Sequence, residues 1–189
     1  VTFHYMKKNF FIPGCDNYFC AAGRLTKQKN FLFLCRVFNL LFKRHSNLKL
    51  VIAGEGENKN QILSYINKNK LNDKIYLVGH IENIYSFFYN SRGFILPSLW
   101  EDPGFVLIEA AFCRTPIISS NFNNRSNKII VDNHNGFVFE NNNELSLFNV
   151  MENFLSKDKV SKKITLQALK MTRQYSLFFH YARLNKLLN

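Results

Sequence analysis

The chain has 189 residues, of which 47% are hydrophobic and 20% are charged, and these proportions indicate one globular domain with its own core. Its formal charge of +12 is compatible with compositional drift, a nucleic acid, an anionic membrane surface or a phosphate-bearing ligand. No apolar run approaches the roughly 20 residues needed to cross a bilayer, and the first residues lack the pattern of a signal peptide.

The four cysteines are not spaced as metal ligands. They include no Cys-x-x-Cys pair and have no histidine at ligand spacing. Three of them lie inside apolar segments, where reduced core cysteines are usually found. We therefore expect a cytoplasmic protein without a metal site or a bound cofactor.

The first 16 residues look different from the rest of the chain. They begin without a methionine, mix aromatic side chains with lysines and reach the turn-forming run Ile12-Pro13-Gly14. We expect residues 1–16 to be a linker or tail, and the lack of an initial methionine indicates a piece of something longer.

From residue 17 onwards, short apolar runs alternate with segments of helical periodicity. Strands are predicted from Tyr18 to Ala22, Leu48 to Ala53, Ile75 to Val78, Phe94 to Leu96, Ile117 to Ser119 and Gly136 to Phe139. Helices are predicted over about 30–44 with Asn30 as the cap, then 59–69, 83–90, a run from 104, 144–155, 158–173 and 177–188. The alternation predicts an α/β fold, namely a Rossmann-like, doubly wound parallel sheet with helices on both faces and a helical C-terminal segment.

Glycines and polar residues follow four of the predicted strands. These runs are Gly23-Arg24, Gly54-Glu55-Gly56, Gly79-His80 and residues 98–104. Ligands of doubly wound sheets bind beyond the carboxyl ends of the strands. We therefore expect the four runs to share one rim.

Cations and carboxylates on this rim suit an anionic ligand with hydroxyl groups. Arg24 can make a two-pronged contact with a phosphate, and Lys29 can supply a point charge. Gly104 opens a predicted helix whose positive end can hold an anion, with Glu101 before it and Glu109 inside it. Glu109 alone is equally compatible with a structural helix residue.

Two further patterns on the rim are weaker. The glycines at 54 and 56 begin a dinucleotide-binding fingerprint, but Lys59 stands where its third glycine belongs. We interpret them as a tight turn. His80 is compatible with a ligand contact and with an incidental loop position, while Lys27 is expected to be solvated.

Three motifs in the correct order, the third with a matching continuation, resemble those of the retaining glycosyltransferases of the group 1 type, family four. They are the glycine-arginine turn with its lysine between Ala22 and Asn30, the strand and turn from Leu50 to Gly56, the run from Pro97 to Ala110 with two glutamates separated by seven residues, and its continuation from Thr115 to Ser120. The resemblance covers about residues 12–189 and implies the nucleotide-sugar donor-binding domain of the two-domain GT-B architecture, over residues 17–189.

The resemblance also implies roles for individual residues. Arg24 and Lys29, on the glycine turn at Gly23, would hold the diphosphate of a nucleotide-sugar. The backbone N–H groups of Gly104, Phe105 and Val106 would assist them. Glu101 would contact the donor sugar as the catalytic residue, Glu109 would accept hydrogen bonds from the ribose, and the turn at His80 and Ile81 would lie near the base.

Two departures from the family pattern bear on activity. Lys128 stands where the family usually has a carboxylate, and the family's N-terminal acceptor domain is missing from the sequence. The resemblance implies a glycan or lipid-linked acceptor and contact with the inner face of the membrane. An inactive remnant, a separate subunit of a split enzyme and a nucleic-acid-binding domain stay open, the last without a supporting aromatic-basic motif.

Overall fold

The computed structural model describes residues 17–102, 104–122, 129–156 and 162–175. The strands are β1 (Tyr18–Ala22), β2 (Lys49–Ala53), β3 (Ile75–Gly79), β4 (Gly93–Leu96), β5 (Ile117–Ser120) and β6 (Phe137–Phe139). The α-helices are α1 (Phe31–Leu41), α2 (Lys59–Lys68), α3 (Ile84–Tyr89), α4 (Phe105–Phe112), α5 (Glu144–Leu155) and α6 (Lys162–Thr172), and a short 3₁₀ turn, Arg173–Tyr175, follows α6.

The six strands form one parallel sheet in the order β3-β2-β1-β4-β5-β6. On one side of β1 lie β2 and then β3, which follow it in the chain. The next strand, β4, pairs with the other side of β1. Cys20 is in register with Val51 on one side and with Phe94 on the other. The predicted α/β, doubly wound fold is confirmed, and its order reverses between β1 and β4, where ligands of such sheets bind.

The inner strands β2, β1, β4 and β5 are buried on both faces, as parallel strands between two helical layers are. Alternate residues point to opposite faces, so Phe19 belongs to the apolar layer that includes side chains of α1, α2 and α5, whereas Cys20 belongs to the layer that includes side chains of α3, α4 and α6. Phenylalanine fills much of this interior, and eight of the largest fully buried side chains are phenylalanines. These two apolar layers fix the positions of the strands and therefore of the loops that follow them.

Three cysteines lie in this core, as the sequence predicts. Cys20, Cys35 and Cys113 are free and buried. Burial raises the pKa of Cys35 and of Cys113 to about 12 and raises that of Cys20. These thiols are therefore packing groups and not nucleophiles.

The helix boundaries differ from the prediction at α1. Asn30 is the N-cap residue of α1, as predicted, but it has a left-handed backbone with φ 55° and its side chain makes no cap hydrogen bond. Its Nδ2 donates instead to Asn142 Oδ1 at 3.2 Å. The helix ends at Leu41, not near Arg44 as predicted, and a turn with His45 N donating to Leu41 O follows.

Some predictions fall outside the described residues. They are the tail over 1–16, the helix over 177–188, the first four residues of the helix over 158–173 and the loop around Lys128.

Candidate functional site

The loops after β1 and β4 meet at the point where the strand order reverses. Leu99 N donates to Gln28 O at 2.8 Å, and Gln28 Nε2 donates to Trp100 O at 2.9 Å. Asn141 Nδ2, from the loop after β6, donates to Leu99 O at 2.7 Å. Three loops at the carboxyl ends of the strands are thereby joined by one backbone hydrogen bond and two hydrogen bonds from side-chain amides.

The loop after β2 joins the same rim through glycine. At Gly54 the backbone has φ 138°, and a Cβ atom there would lie 2.0 Å from Gly23 O. At Gly56 a Cβ would lie 2.6 Å from Leu25 O, and Leu25 N donates to Glu55 O at 2.9 Å. The glycines therefore allow two backbones to approach closely, which fits the predicted tight turn.

Glu101 occupies the centre of the site and is buried with only 6% of its surface exposed. Lys29 Nζ and Ser98 Oγ both donate to its Oε1, each at 2.5 Å. The stem of Lys29 passes over Gly23, where a Cβ would lie 3.1 Å from Lys29 Cε. The structure thus brings together Gly23, Lys29 and Glu101, which the sequence predicts on one rim.

The helix α4 begins beside Glu101. Gly104 is its N-cap residue with φ 73°, a conformation that favours glycine. A Cβ at Gly104 would lie 3.4 Å from Glu101 Cβ. Phe105 is 62% exposed and Val106 is half-buried, so the first turn of α4 is open to solvent at the rim, with the positive end of its dipole next to Glu101.

Glu109 lies in the second turn of α4, as predicted. It is half-buried, and burial raises the pKa of its carboxyl. Burial also raises the pKa of Tyr85, with a smaller contribution from the charge of Glu109. Glu109 therefore sits in a poorly solvated position close to Tyr85 on α3.

The remaining predicted residues line the same edge without a contact that joins them to Glu101. Arg24 follows β1 and is exposed, with no side-chain hydrogen bond or ion pair in the described part of the chain. Gly79 ends β3 with φ 68°. His80 after it is exposed, and Ile81 is partly buried against the apolar layer formed with α3 and α4.

Two residues of the site were missed by the sequence reasoning. Ser98 is completely buried, and Ser120 Oγ donates to its carbonyl oxygen at 2.6 Å. Ser98 could have been predicted from its place in the sequence, because it lies three residues before Glu101 and just after a buried strand. No sequence pattern near Ser120 indicates its contact with Ser98, which joins the end of β5 to the loop after β4.

A separate cavity of about 300 Å³ opens at the opposite edge of the sheet. It is lined by Asn17, Arg44, His45, Ser46, Asn47, Leu48, Arg92 and Leu155. Apart from Leu155, which ends α5, these residues lie before β1, β2 and β4, whereas the predicted site residues follow the strands. The cavity is therefore not part of the candidate site.

Two kinds of feature are missing from the residues that the structure describes. Among them, no three His, Cys, Asp or Glu side chains lie close enough together to hold a metal ion. Within the same ranges, no helix has the length and apolar character needed to cross a bilayer.

Comparisons with known proteins point to one family. The model of the glycosyl transferases group 1 family matches residues 4–171. The N-acetylgalactosamine-N,N'-diacetylbacillosaminyl-diphospho-undecaprenol 4-alpha-N-acetylgalactosaminyltransferase of Campylobacter jejuni is 31% identical over 147 residues, which are 78% of this chain and 40% of that protein.

Solved structures share the fold. The C-terminal domain of the group 1 family protein LpcC from Francisella tularensis superposes with a TM-score of 0.74 at 20% identity, over 85% of this chain and 87% of that one. A TarM mutant of Staphylococcus aureus, solved with UDP, alpha-GlcNAc-glycerol and Fondaparinux, gives a TM-score of 0.82 at 21% identity, over 100% of this chain and 38% of that one. The chain spans less than half the length of the curated relatives it matches.

Proposed function

The chain belongs to the glycosyl transferases group 1 family, and from that premise we propose that it is the donor-binding domain of a retaining glycosyltransferase that uses a nucleotide diphosphate sugar. The observation that carries the proposal is the contact of Lys29 with the buried Glu101 at the point where the strand order reverses. There a fixed cation, a carboxylate and the positive end of α4 lie together, which suits a ligand with a diphosphate next to a sugar.

The diphosphate would be held by Arg24, Lys29 and the first turn of α4. An ammonium group has three donors, so Lys29 can keep its contact with Glu101 and still donate to a phosphate. Arg24 is exposed on the same edge and can make a two-pronged contact. Backbone N–H groups of Gly104, Phe105 and Val106 would complete the anion site.

The other parts of the donor would lie on either side of the diphosphate. Glu101 would accept hydrogen bonds from hydroxyl groups of the sugar and act as the catalytic residue. Glu109, one turn further along α4, would accept them from the ribose. The turn at Gly79, His80 and Ile81 would lie beside the base.

These residues suit the charge changes of sugar transfer. Negative charge builds up on the leaving diphosphate as the bond between it and the sugar breaks. Fixed cations and a helix N-terminus stabilise that charge without having to reorganise during the reaction. The acceptor would enter on the face from which the diphosphate leaves, and the anomeric configuration would be retained.

The acceptor side of the reaction would come from a further domain. Relatives that the chain matches over less than half their length are named for acceptors linked to diphospho-undecaprenol, so we propose a glycan or lipid-linked acceptor in cell-surface polysaccharide or glycolipid synthesis at the inner face of the membrane. The 189-residue chain would bind donor but transfer little sugar alone, and efficient transfer by it to such an acceptor would contradict this proposal.

Calorimetric titration of the chain with UDP-, GDP- and ADP-sugars tests donor binding. We expect one base to be preferred, and we expect Arg24→Ala to weaken that donor about 10- to 100-fold, because a charge-assisted contact to phosphate is lost. Lys27→Ala is the matched control, since Lys27 is also exposed on this loop. Lack of binding by every donor would favour an inactive remnant, and equal effects of the two variants would contradict the phosphate site.

A further inference from the structure

A single carboxylate oxygen in the candidate site receives two short hydrogen bonds. Oε1 of Glu101 accepts from Ser98 Oγ and from Lys29 Nζ, each at 2.5 Å. The two donors come from different loops, Ser98 from the loop after β4 and Lys29 from the loop after β1. The orientation of the carboxyl group is therefore fixed from two directions.

Ser98 is itself held rigidly. It has no exposed surface, and its carbonyl oxygen accepts a hydrogen bond from Ser120 Oγ at 2.6 Å. The next residue, Leu99, is fixed by bonds to Gln28 and Asn141. A hydroxyl group so placed keeps its single proton directed at Glu101.

The two donors do different things for the carboxylate. Lys29 supplies a positive charge, which balances the buried negative charge. The hydroxyl of Ser98 is neutral and contributes direction, since a hydrogen bond weakens steeply when its angle departs from linearity. Loss of Ser98 would leave the charge of Lys29 in place but would remove one of the groups that orient the carboxylate.

We infer that Ser98 is a positioning residue that holds the Glu101 carboxylate in the orientation in which it meets the donor sugar. This inference rests on the proposed function, because it assigns Glu101 to the sugar end of the donor. It predicts an effect confined to the sugar. Affinity for a nucleotide-sugar depends on the orientation of Glu101, whereas affinity for the nucleotide diphosphate without the sugar does not.

Paired calorimetric titrations test the inference, with UDP as one ligand and UDP-GlcNAc, UDP-GalNAc and UDP-glucose as the others. We expect Ser98→Ala to weaken the preferred UDP-sugar about tenfold and to change UDP affinity less than about twofold. Ser98→Thr, which keeps the hydroxyl, should restore part of the loss. Ser64→Ala, at an exposed serine of α2, is the control and should alter neither affinity.

Binding of UDP also reports whether each variant is folded. Should Ser98→Ala fail to fold, Ser120→Ala removes the support of Ser98 and is expected to weaken the UDP-sugar selectively, by a smaller factor. Equal losses for UDP and for the UDP-sugar, or no loss for either, would overturn the inference alone. If the unaltered chain binds none of the uridine ligands, the same paired titrations are made with GDP and ADP and their sugars. Failure to bind any of these as well would overturn the proposed function, and the inference with it.

Discussion

Glu109 shows how a proposed site residue can reduce stability at neutral pH. Burial raises the pKa of its carboxyl above the usual value near 4.5, so the folded state binds a proton more readily than the unfolded state. The stability that this gives is complete below the unfolded pKa and is lost as the pH rises through the folded pKa. At neutral pH the folded chain therefore holds an ionised carboxylate in a position that disfavours its charge.

We expect Glu109→Gln to raise the free energy of unfolding at neutral pH, with a gain that shrinks as the pH falls towards 4.5 and below. The physical reason is that glutamine has no charge to desolvate. Urea denaturation at a series of pH values measures the effect. Glu57→Gln, at an exposed acid, is the control, and a gain independent of pH in Glu109→Gln would contradict the explanation.

The same substitution is expected to weaken nucleotide binding, so stability and function would oppose each other at this residue. The sequence placed Glu109 inside a helix that follows a glycine, and the structure confirms that position. It did not predict that Lys29 contacts Glu101, because 72 residues separate them and no local pattern reports such a pair. Burial of Glu101 was likewise not predictable from its loop position.

At the scale of elements, strands were predicted more closely than helix ends. Both faces of a parallel strand are buried, so such a strand is a short continuous apolar run. The run from Tyr18 to Ala22 has this pattern, and its bounds could therefore be predicted. The start of α1 involves a distant loop, because the side chain of Asn30 bonds to Asn142 rather than to its own helix. Local propensity could not reveal that partner.

Aromatic packing, more than ion pairing, is expected to hold α5 on the sheet. Phe154 on α5 is buried and meets the ring of Phe19 at 5.4 Å and that of Phe137 at 5.6 Å, both edge-on. Glu144 on the same helix pairs with Arg36 at 2.5 Å, but 41% and 40% of their side chains are exposed. Water screens such a pair, and its contribution is small.

We therefore expect Phe154→Ala to reduce the free energy of unfolding by about 3 to 5 kcal/mol. Glu144→Gln, the control on the same helix, should cost about 1 kcal/mol or less. Urea denaturation followed by circular dichroism measures both. A loss in Glu144→Gln as large as that in Phe154→Ala would show that the ion pair, and not the ring packing, anchors the helix.

At the scale of the whole molecule, alternation of strands and helices predicted a doubly wound sheet but not the order of its strands. The hydrophobic pattern indicates that a strand is buried, but it does not indicate which strands lie beside it in the sheet. The order β3-β2-β1-β4-β5-β6 follows from pairing across the sheet. This order places Gly23 beside the loop that carries Glu101, so that the loops after β1 and β4 meet in the candidate site.

The formal charge of +12 belongs to the whole chain and leads to a separate prediction. A proposed acceptor linked to lipid would bring the protein to an anionic surface, where each nearby Lys or Arg contributes about 1 kcal/mol of attraction. We expect the chain to sediment with vesicles of phosphatidylcholine and phosphatidylglycerol at about 0.1 M salt. At about 1 M salt, where the screening length falls from about 10 Å to about 3 Å, it should be released.

Vesicles of phosphatidylcholine alone are the control and should bind little of the chain at either salt concentration, because they carry no net charge. Binding to both kinds of vesicle that persists at high salt would point to apolar insertion instead. Lack of binding to the anionic vesicles at low salt would mean that the excess of lysine and arginine is too dispersed over the surface to act together. In that case the proposed role of the positive charge would be limited to Arg24 and Lys29 at the proposed diphosphate site.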